Sequence, residues 1–242
     1  MKSIISLIIC LLIASCSNDN DDMAEQTLEN YVQDRTIEMG AVIACAASDK
    51  NTGHVLTFFY PELGAQNIRL YETKSTDLDQ NNFSNYNLVF LESDPFFNGY
   101  LGKYEQSIDD EKWIIVTIEL DNKIKISNPI RSKQITKPTL WNDVVEIDMS
   151  HLGMPSFKWE DNPVGDNAIY FQVISDDNNN LLSGTYTYDN QFQYYKTENV
   201  VLNVTTQTPP DLIMKRRYNF TLMDVSEDNW VNWVVQKSFE LP

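Results

Sequence analysis

Short runs of branched and aromatic residues, broken by polar turn clusters, recur along most of this chain. The runs are Val55–Tyr60, Asn67–Tyr71, Tyr86–Leu91, Trp113–Glu119, Ile124–Ile130 and Val144–Met149, then Ser156–Trp159, Ala168–Ser175, Leu181–Tyr188, Val200–Thr205, Tyr218–Val225 and Val231–Phe239. Their lengths and residue choice are those of strands, because β-branched and aromatic side chains pack well on a pleated surface. Asp121-Asn122, Asp176–Asn180 and Glu227-Asp228-Asn229 separate them with turn-forming residues. Many short strands at even spacing predict an all-β protein built of sandwiches. Helical spacing shows only in Ala24–Val32, where Leu28, Tyr31 and Val32 sit three and four apart. A segment that short is marginal as an isolated helix, and reads as part of a tether or a turn or two of helix.

The N-terminus follows a different pattern. Lys2 precedes Ile4–Ala14, eleven residues in which Ser6 is the one polar position. Spanning a bilayer takes about 20 apolar residues, so this run predicts a secretion signal. Small residues follow it, and Ile13-Ala14-Ser15-Cys16 resembles a lipobox. That resemblance implies cleavage before Cys16 and a diacyl lipid on its sulfur. Two or more acyl chains anchor stably, at about 0.8 kcal/mol per buried methylene. Ser17–Asp22, with Asp19, Asp21 and Asp22, resembles the acidic export signal of Bacteroidota-type lipoproteins. It implies the outer face of an outer membrane. Residues 1–15 are therefore expected to be a signal peptide, and 16–37 a flexible, lipidated acidic tether.

In the C-terminal half, Trp159 lies in Pro155-Ser156-Phe157-Lys158-Trp159, and Leu212 stands six residues before Tyr218, with Phe220 and Leu222 alternating after it. On these residues the half resembles a fibronectin type III (Ig-like) domain. The resemblance implies that Trp159 fills the core between two sheets. It also implies that the Tyr218 hydroxyl bonds back to the chain upstream. Met214-Lys215-Arg216 stands where the family has a Pro-Gly-Thr turn. The first half repeats the plan. Phe58-Phe59-Tyr60 and Asn67–Tyr71 match Phe157-Lys158-Trp159 and Asn167–Phe171 at an offset of about 100 residues. Two tandem sandwiches are expected, over 38–136 and 137–242, with Thr136-Lys137-Pro138 as the linker. One larger sandwich is the rival arrangement.

Charge and candidate chemistry narrow the function. The chain carries −17, and removing residues 1–15 takes away Lys2 alone and leaves −18. Such a surface repels nucleic acid. Cys10 leaves with the signal and Cys16 takes lipid, so Cys45, in a small apolar run, is expected to be a buried, inert thiol. His54 and His151 lie far apart, and no zinc spacing, nucleophile elbow or phosphate loop occurs. Asp176, Asn178 and Asn180 begin like a calcium loop, but Leu181 and Thr187 fill its glycine and glutamate positions, which predicts a polar turn. No catalytic residue, metal or cofactor is assigned.

Aromatics remain as candidate binding groups. Thr185–Tyr195 reads as a hairpin turning at Asp189-Asn190, with Tyr186 opposite Gln193 and Tyr188 on the same face. Trp230 leaves the loop Ser226–Asn229, while Trp233 points to the core. Tyr186, Tyr188 and Trp230 are thus the candidate ligand-binding residues, with packing in the core or against the other domain as the alternative, and Phe96-Phe97-Asn98-Gly99-Tyr100 is a further aromatic cluster open to the same two readings. Three functions are open. The first is a non-catalytic surface module that binds or adheres to glycan or protein. The second is a structural lipoprotein packed against outer-membrane partner chains, and the third is a hydrolase. Cys16→Ala is expected to abolish acyl labelling and release the protein from membranes; persistent labelling with fatty acid contradicts the anchor. Protease added to intact cells is expected to strip the protein, and replacing Asp19, Asp21 and Asp22 by asparagine to reduce that exposure.

Overall fold

The computed structural model describes residues 26–160, 165–205 and 208–242; Cys16, Asp19, Asp21 and Asp22 lie outside them. A short helix, α1 (Leu28–Val32), comes first. The strands of the first half are β1 (Ile37–Val42), β2 (Ala44–Ser48), β3 (Val55–Phe59), β4 (Gln66–Glu72), β5 (Asn87–Val89), β6 (Asp94–Phe96), β7 (Leu101–Gln106), β8 (Trp113–Leu120), β9 (Lys123–Ser127) and β10 (Ile130–Arg131). Those of the second are β11 (Leu140–Asn142), β12 (Glu146–Asp148), β13 (Ser156–Lys158), β14 (Asn167–Asp176), β15 (Leu181–Thr187), β16 (Gln191–Gln193), β17 (Val200–Asn203), β18 (Arg217–Ser226) and β19 (Val231–Glu240).

These strands make four sheets. Sheet I runs β1-β9-β8-β4-β5, with β10 on β8; sheet II runs β2-β3-β7-β6. Sheet III runs β11-β19-β18-β14-β15-β17, and sheet IV runs β12-β13-β16. The two halves are wired alike. Each opens with a strand parallel to a much later one, β1 on β9 and β11 on β19. Each centres one sheet on an antiparallel trio, β4-β8-β9 and β14-β18-β19. The fibronectin type III-like sandwich therefore occurs twice. Within β3, Phe59 packs between sheets I and II while Phe58 packs on the other face. Aligning Phe58 with Phe157 thus sets an outward residue against an inward one.

The sandwiches are not beads on a string. Phe59, Leu70, Tyr104, Val116 and Ile130 fill the space between sheets I and II. Phe157, Trp159, Tyr170, Phe220 and Trp233 fill that between III and IV. A third apolar layer lies between II and III, where Cys45, Phe58 and Leu101 meet Phe171, Tyr186 and Met223. Sheets II and III are covered on both faces, which explains why β3 is buried at every position and β14 from Tyr170 through Ser175. Trp230, in the turn between β18 and β19, crosses the junction and inserts among Val42, Ala46 and Ile130 of the first half. Its Nε1 donates to the Lys137 carbonyl at 2.8 Å. Around it, Ser48 and Thr139 exchange hydrogen bonds at 2.7 and 2.8 Å, and Trp141 Nε1 donates to the Ser48 carbonyl at 2.9 Å.

The expected tether is shorter at its C-terminal end. Thr27 caps α1 by accepting from the Asn30 amide, and Leu28 and Tyr31, three apart, point into the outer face of sheet I with Tyr71, Tyr86 and Ile126. The Tyr31 ring lies between the guanidinium groups of Arg69 at 4.1 Å and Arg35 at 4.9 Å, and its hydroxyl donates to Glu119 Oε1 at 2.7 Å. Residues 28–37 thus belong to the body, and β1 begins inside the segment assigned to the tether.

The expected tyrosine corner is present: the Ile213 amide donates to the Tyr218 hydroxyl at 2.7 Å, with Leu212 buried beside it. The hairpin at Asp189-Asn190 is a correction. β15 pairs with β14 and β17, so Tyr186 faces Phe171 and Leu202, while β16 pairs with β13 in sheet IV. The chain crosses between sheets there because Asn190 locks onto Trp159. Its carbonyl accepts from the Trp159 amide, and its Nδ2 donates to the Trp159 carbonyl at 2.9 Å. Trp159→Ala is expected to cost about 3–5 kcal/mol, as for any large buried aromatic. Tyr218→Phe is expected to cost about 1–3 kcal/mol, because the Ile213 amide loses its acceptor. Tyr186→Ala and Trp230→Ala are expected to destabilise by several kcal/mol, and Tyr188→Ala by little. Denaturant titrations of the five variants check this.

Candidate functional site

Side chains alternate along a strand, so one face of sheet III carries Phe171, Val173 and Ser175 from β14 and Asn219, Thr221 and Met223 from β18. The register sets Phe171 beside Met223 and Val234, and Ser175 beside Asn219 and Ser238. The face therefore changes character along its length. Its apolar end lies under sheet II. Its polar end continues past sheet II as the floor of an open cleft of about 500 Å³, lined by Ser175, Asn219, Thr221, Gln236 and Ser238.

The wall of the cleft is the turn after β6. Phe97, Asn98 and Gly99 take left-handed backbone angles in succession, at φ 47°, 52° and 86°. Glycine adopts that region freely and a buried phenylalanine does not. Packing holds it there: the Phe97 ring lies 4.4 Å from Phe96, which lies 4.9 Å from Phe58. Asn98 Nδ2 reaches across the junction to the Asn178 carbonyl at 3.0 Å and Asn180 Oδ1 at 2.7 Å. The far rim is the polar turn expected at Asp176–Asn180. Asp176 Oδ1 accepts from the Asn178 and Asn180 amides, both at 2.9 Å, and Oδ2 from Asn180 Nδ2 at 2.8 Å. Burial pushes the Asp176 pKa up, but the hydrogen bonds from Asn180 and Asn178 and the field of Arg216 outweigh it and hold the carboxyl below its ordinary range.

The floor offers neutral donors and acceptors. Asn219 Nδ2 donates to the Asp176 carbonyl at 3.2 Å, and Ser238 Oγ donates to Asn219 Oδ1 at 2.7 Å. The Ser175 hydroxyl is buried and has no hydrogen-bond partner. Lys237 lies between Gln236 and Ser238 on the strand, and its ammonium, on the opposite face, donates to the Val145 carbonyl at 2.9 Å.

Of the three candidate aromatics, the structure puts two in the interior. Tyr186 is 9% exposed and stacks on Phe171 at 4.5 Å within the layer between sheets II and III. Trp230 is fully buried. A ligand-binding role needs both at a surface; both instead hold the halves together, the domain-packing alternative, because each meets an apolar face of the other half. Tyr188 is 66% exposed, at the crossing between sheets III and IV and apart from the cleft. Cys45 is buried as expected, and burial pushes its thiol pKa up to about 12. The cleft residues escaped the sequence reading, apart from the Phe96–Tyr100 cluster. Their signal is the change from Asn219 and Thr221 to Met223 at alternate positions of one strand.

No protein-family model matches the chain, and no curated protein matches it. Two solved structures are similar to it over most of its length. One concerns neurohormone perception by the receptor tyrosine kinase Torso, with 13% identity over 86% of this chain and 76% of that one, at a TM-score of 0.28. The other is the chicken interferon gamma receptor alpha chain, with 9% identity over 83% of this chain and 97% of that one, at a TM-score of 0.25. Likenesses this distant say nothing about what the chain binds.

Proposed function

We propose that this chain is the body of a lipid-anchored surface protein that binds a ligand without transforming it, and that the ligand enters the cleft between the Phe96–Gly99 turn and sheet III. The carrying observation is the change along one sheet face, apolar under sheet II and polar where the cleft opens. The cleft is lined by amides, hydroxyls and aromatic rings, which suit recognition; acid–base chemistry calls for titratable groups with tuned pKa values. Its walls come from both halves, and the apolar layer between sheets II and III holds them in place, so the site is preorganised. The lipid on Cys16 and the acidic segment after it support display outside the cell. Among the described residues no helix is long and apolar enough to cross a membrane.

A second reading, an assembly role, has one observation behind it. Among the described residues β17 pairs only with β15, and its Val201 and Leu202 are exposed, so its outer edge could accept a strand from a partner chain. Filling the cleft separates the two. Gln236 is exposed on the cleft floor, so Gln236→Trp fills the space at little cost to the core. The mature lipidated protein in nanodiscs is expected to retain an oligosaccharide or extracellular protein from a surface-ligand array. Gln236→Trp is expected to weaken that retention more than ~10-fold, the scale of a hot spot, at an unchanged melting temperature. Retention that survives Gln236→Trp but falls on Leu202→Pro favours the assembly role.

A further inference from the structure

We propose that the cleft takes a neutral oligosaccharide, a claim that rests on the cleft being the ligand site. Three features of the cleft lead to this class. The first is its charge. The chain is strongly acidic, and Asp176 and Lys237 at the cleft are already committed. Asp176 spends both carboxylate oxygens on its own turn, and the Lys237 ammonium is held by the Val145 carbonyl on the opposite side of its strand. Arg216, whose field reaches Asp176, does not line the cleft, so an anion there meets the field of the whole acidic chain.

The second feature is the backbone of the floor. β14 lies between β15 and β18, β18 between β14 and β19, and β19 between β18 and β11. β11 pairs with β19 over Trp233–Val235, and beyond it β19 is the outer strand beside the floor; a peptide added to that edge as a strand would lie in the plane of the sheet and not on the floor. Recognition has to run through side chains, and those on the floor are hydroxyls and amides that both donate and accept. A sugar presents the same chemistry, since each hydroxyl donates once and accepts twice. Rows of these groups stand about 4.8 Å apart across the strands, so a ligand that contacts several must carry polar groups at regular intervals.

The third feature combines an apolar wall with an orphan hydroxyl. Phe96 is half-buried on the cleft wall, its ring wedged between Phe58 and Phe97. A fixed ring of this kind stacks on the C–H face of a pyranose, while the polar floor takes up its equatorial hydroxyls. Ser175 is 1% exposed, and its Oγ is unpartnered at the back of the cleft. A buried hydroxyl without a partner weakens a fold. At this position a ligand oxygen completes it.

Ser175→Ala therefore separates binding from structure. Removing an unpaired hydroxyl leaves the melting temperature unchanged or raised, whereas a ligand that used the hydroxyl binds less tightly. The test is isothermal titration of the mature lipidated protein in nanodiscs. The probes are a panel of neutral hexasaccharides with gluco, manno, galacto and xylo units in α and β linkage, hexagalacturonate as an acidic control, and a glycine–serine peptide of similar length. At least one neutral hexasaccharide is expected to bind. Ser175→Ala and Phe96→Ala are each expected to weaken it ~10-fold, and Gln236→Trp to abolish it. Preference for hexagalacturonate or the peptide overturns the proposal, as does neutral-sugar binding that all three substitutions leave intact. If no neutral sugar binds while Gln236→Trp still blocks retention of an extracellular protein, the glycan class falls and the cleft stands as a ligand site. If Gln236→Trp blocks nothing, both fall.

Discussion

Cys45, Phe58 and Leu101 on one sheet lie against Phe171, Tyr186 and Met223 on the next, and the rest of the molecule is arranged around that dry layer. Each half of the chain makes a two-sheet sandwich, and such a unit ordinarily turns polar outer faces to water. Here the outer faces of sheets II and III are apolar, so neither half is complete in solvent. Stacking them yields four sheets with three buried layers between. Trp230 ties the arrangement, since it is carried by the second half and completes the core of the first.

The cleft is a consequence of the same layer. Sheet III has long strands, and β14, β18 and β19 run ten residues each. The strands of sheet II are shorter, with β3 five residues and β7 six. Sheet II cannot cover the whole face, and where cover ends, the side chains turn from Met223 and Val234 to Thr221, Gln236 and Asn219. The Phe96–Gly99 turn closes one side of the gap, held in unfavourable backbone angles by packing against Phe58. Rigidity between the halves and the shape of the cleft thus have one cause. A hinge between the sandwiches would open and close the cleft; the Asn98 contacts with Asn178 and Asn180 work against such motion.

The other end of the stack is fixed where the chain enters the body. Leu28 and Tyr31 cover the outer face of sheet I, and the Arg69–Tyr31–Arg35 stack holds α1 down with Glu119. About ten residues separate Cys16 from Gln26, an extended reach of at most ~35 Å.

Local chemistry made much of this legible in the sequence. Strands were visible at Val55–Tyr60, Trp113–Glu119, Tyr218–Val225 and Val231–Phe239 because branched and aromatic runs end at turn residues. Trp159, Leu212 and Tyr218 marked the second sandwich because their spacing reflects contacts within one domain. The polar turn at Asp176 was visible because its hydrogen bonds are local. Other features depended on partners distant in the chain. β1, β6, β7 and β11 lack a strong run of their own and are strands because a neighbour's edge pairs with them. Asp189-Asn190 carries a hairpin signal, yet the chain crosses to another sheet there, since Asn190 meets Trp159, thirty-one residues away. Tyr186 and Trp230 look alike in sequence whether they face solvent or a second sheet; only the stacking of the halves buries them. The cleft was out of reach for the same reason, because Ser175, Asn219 and Ser238 become neighbours only once three strands are paired in register. The chain's own composition and periodicity determined an acidic, all-β protein. Tertiary packing alone decided which aromatic residues serve as core and where a polar face is left open, since burial belongs to surfaces that meet and is not written at any single position.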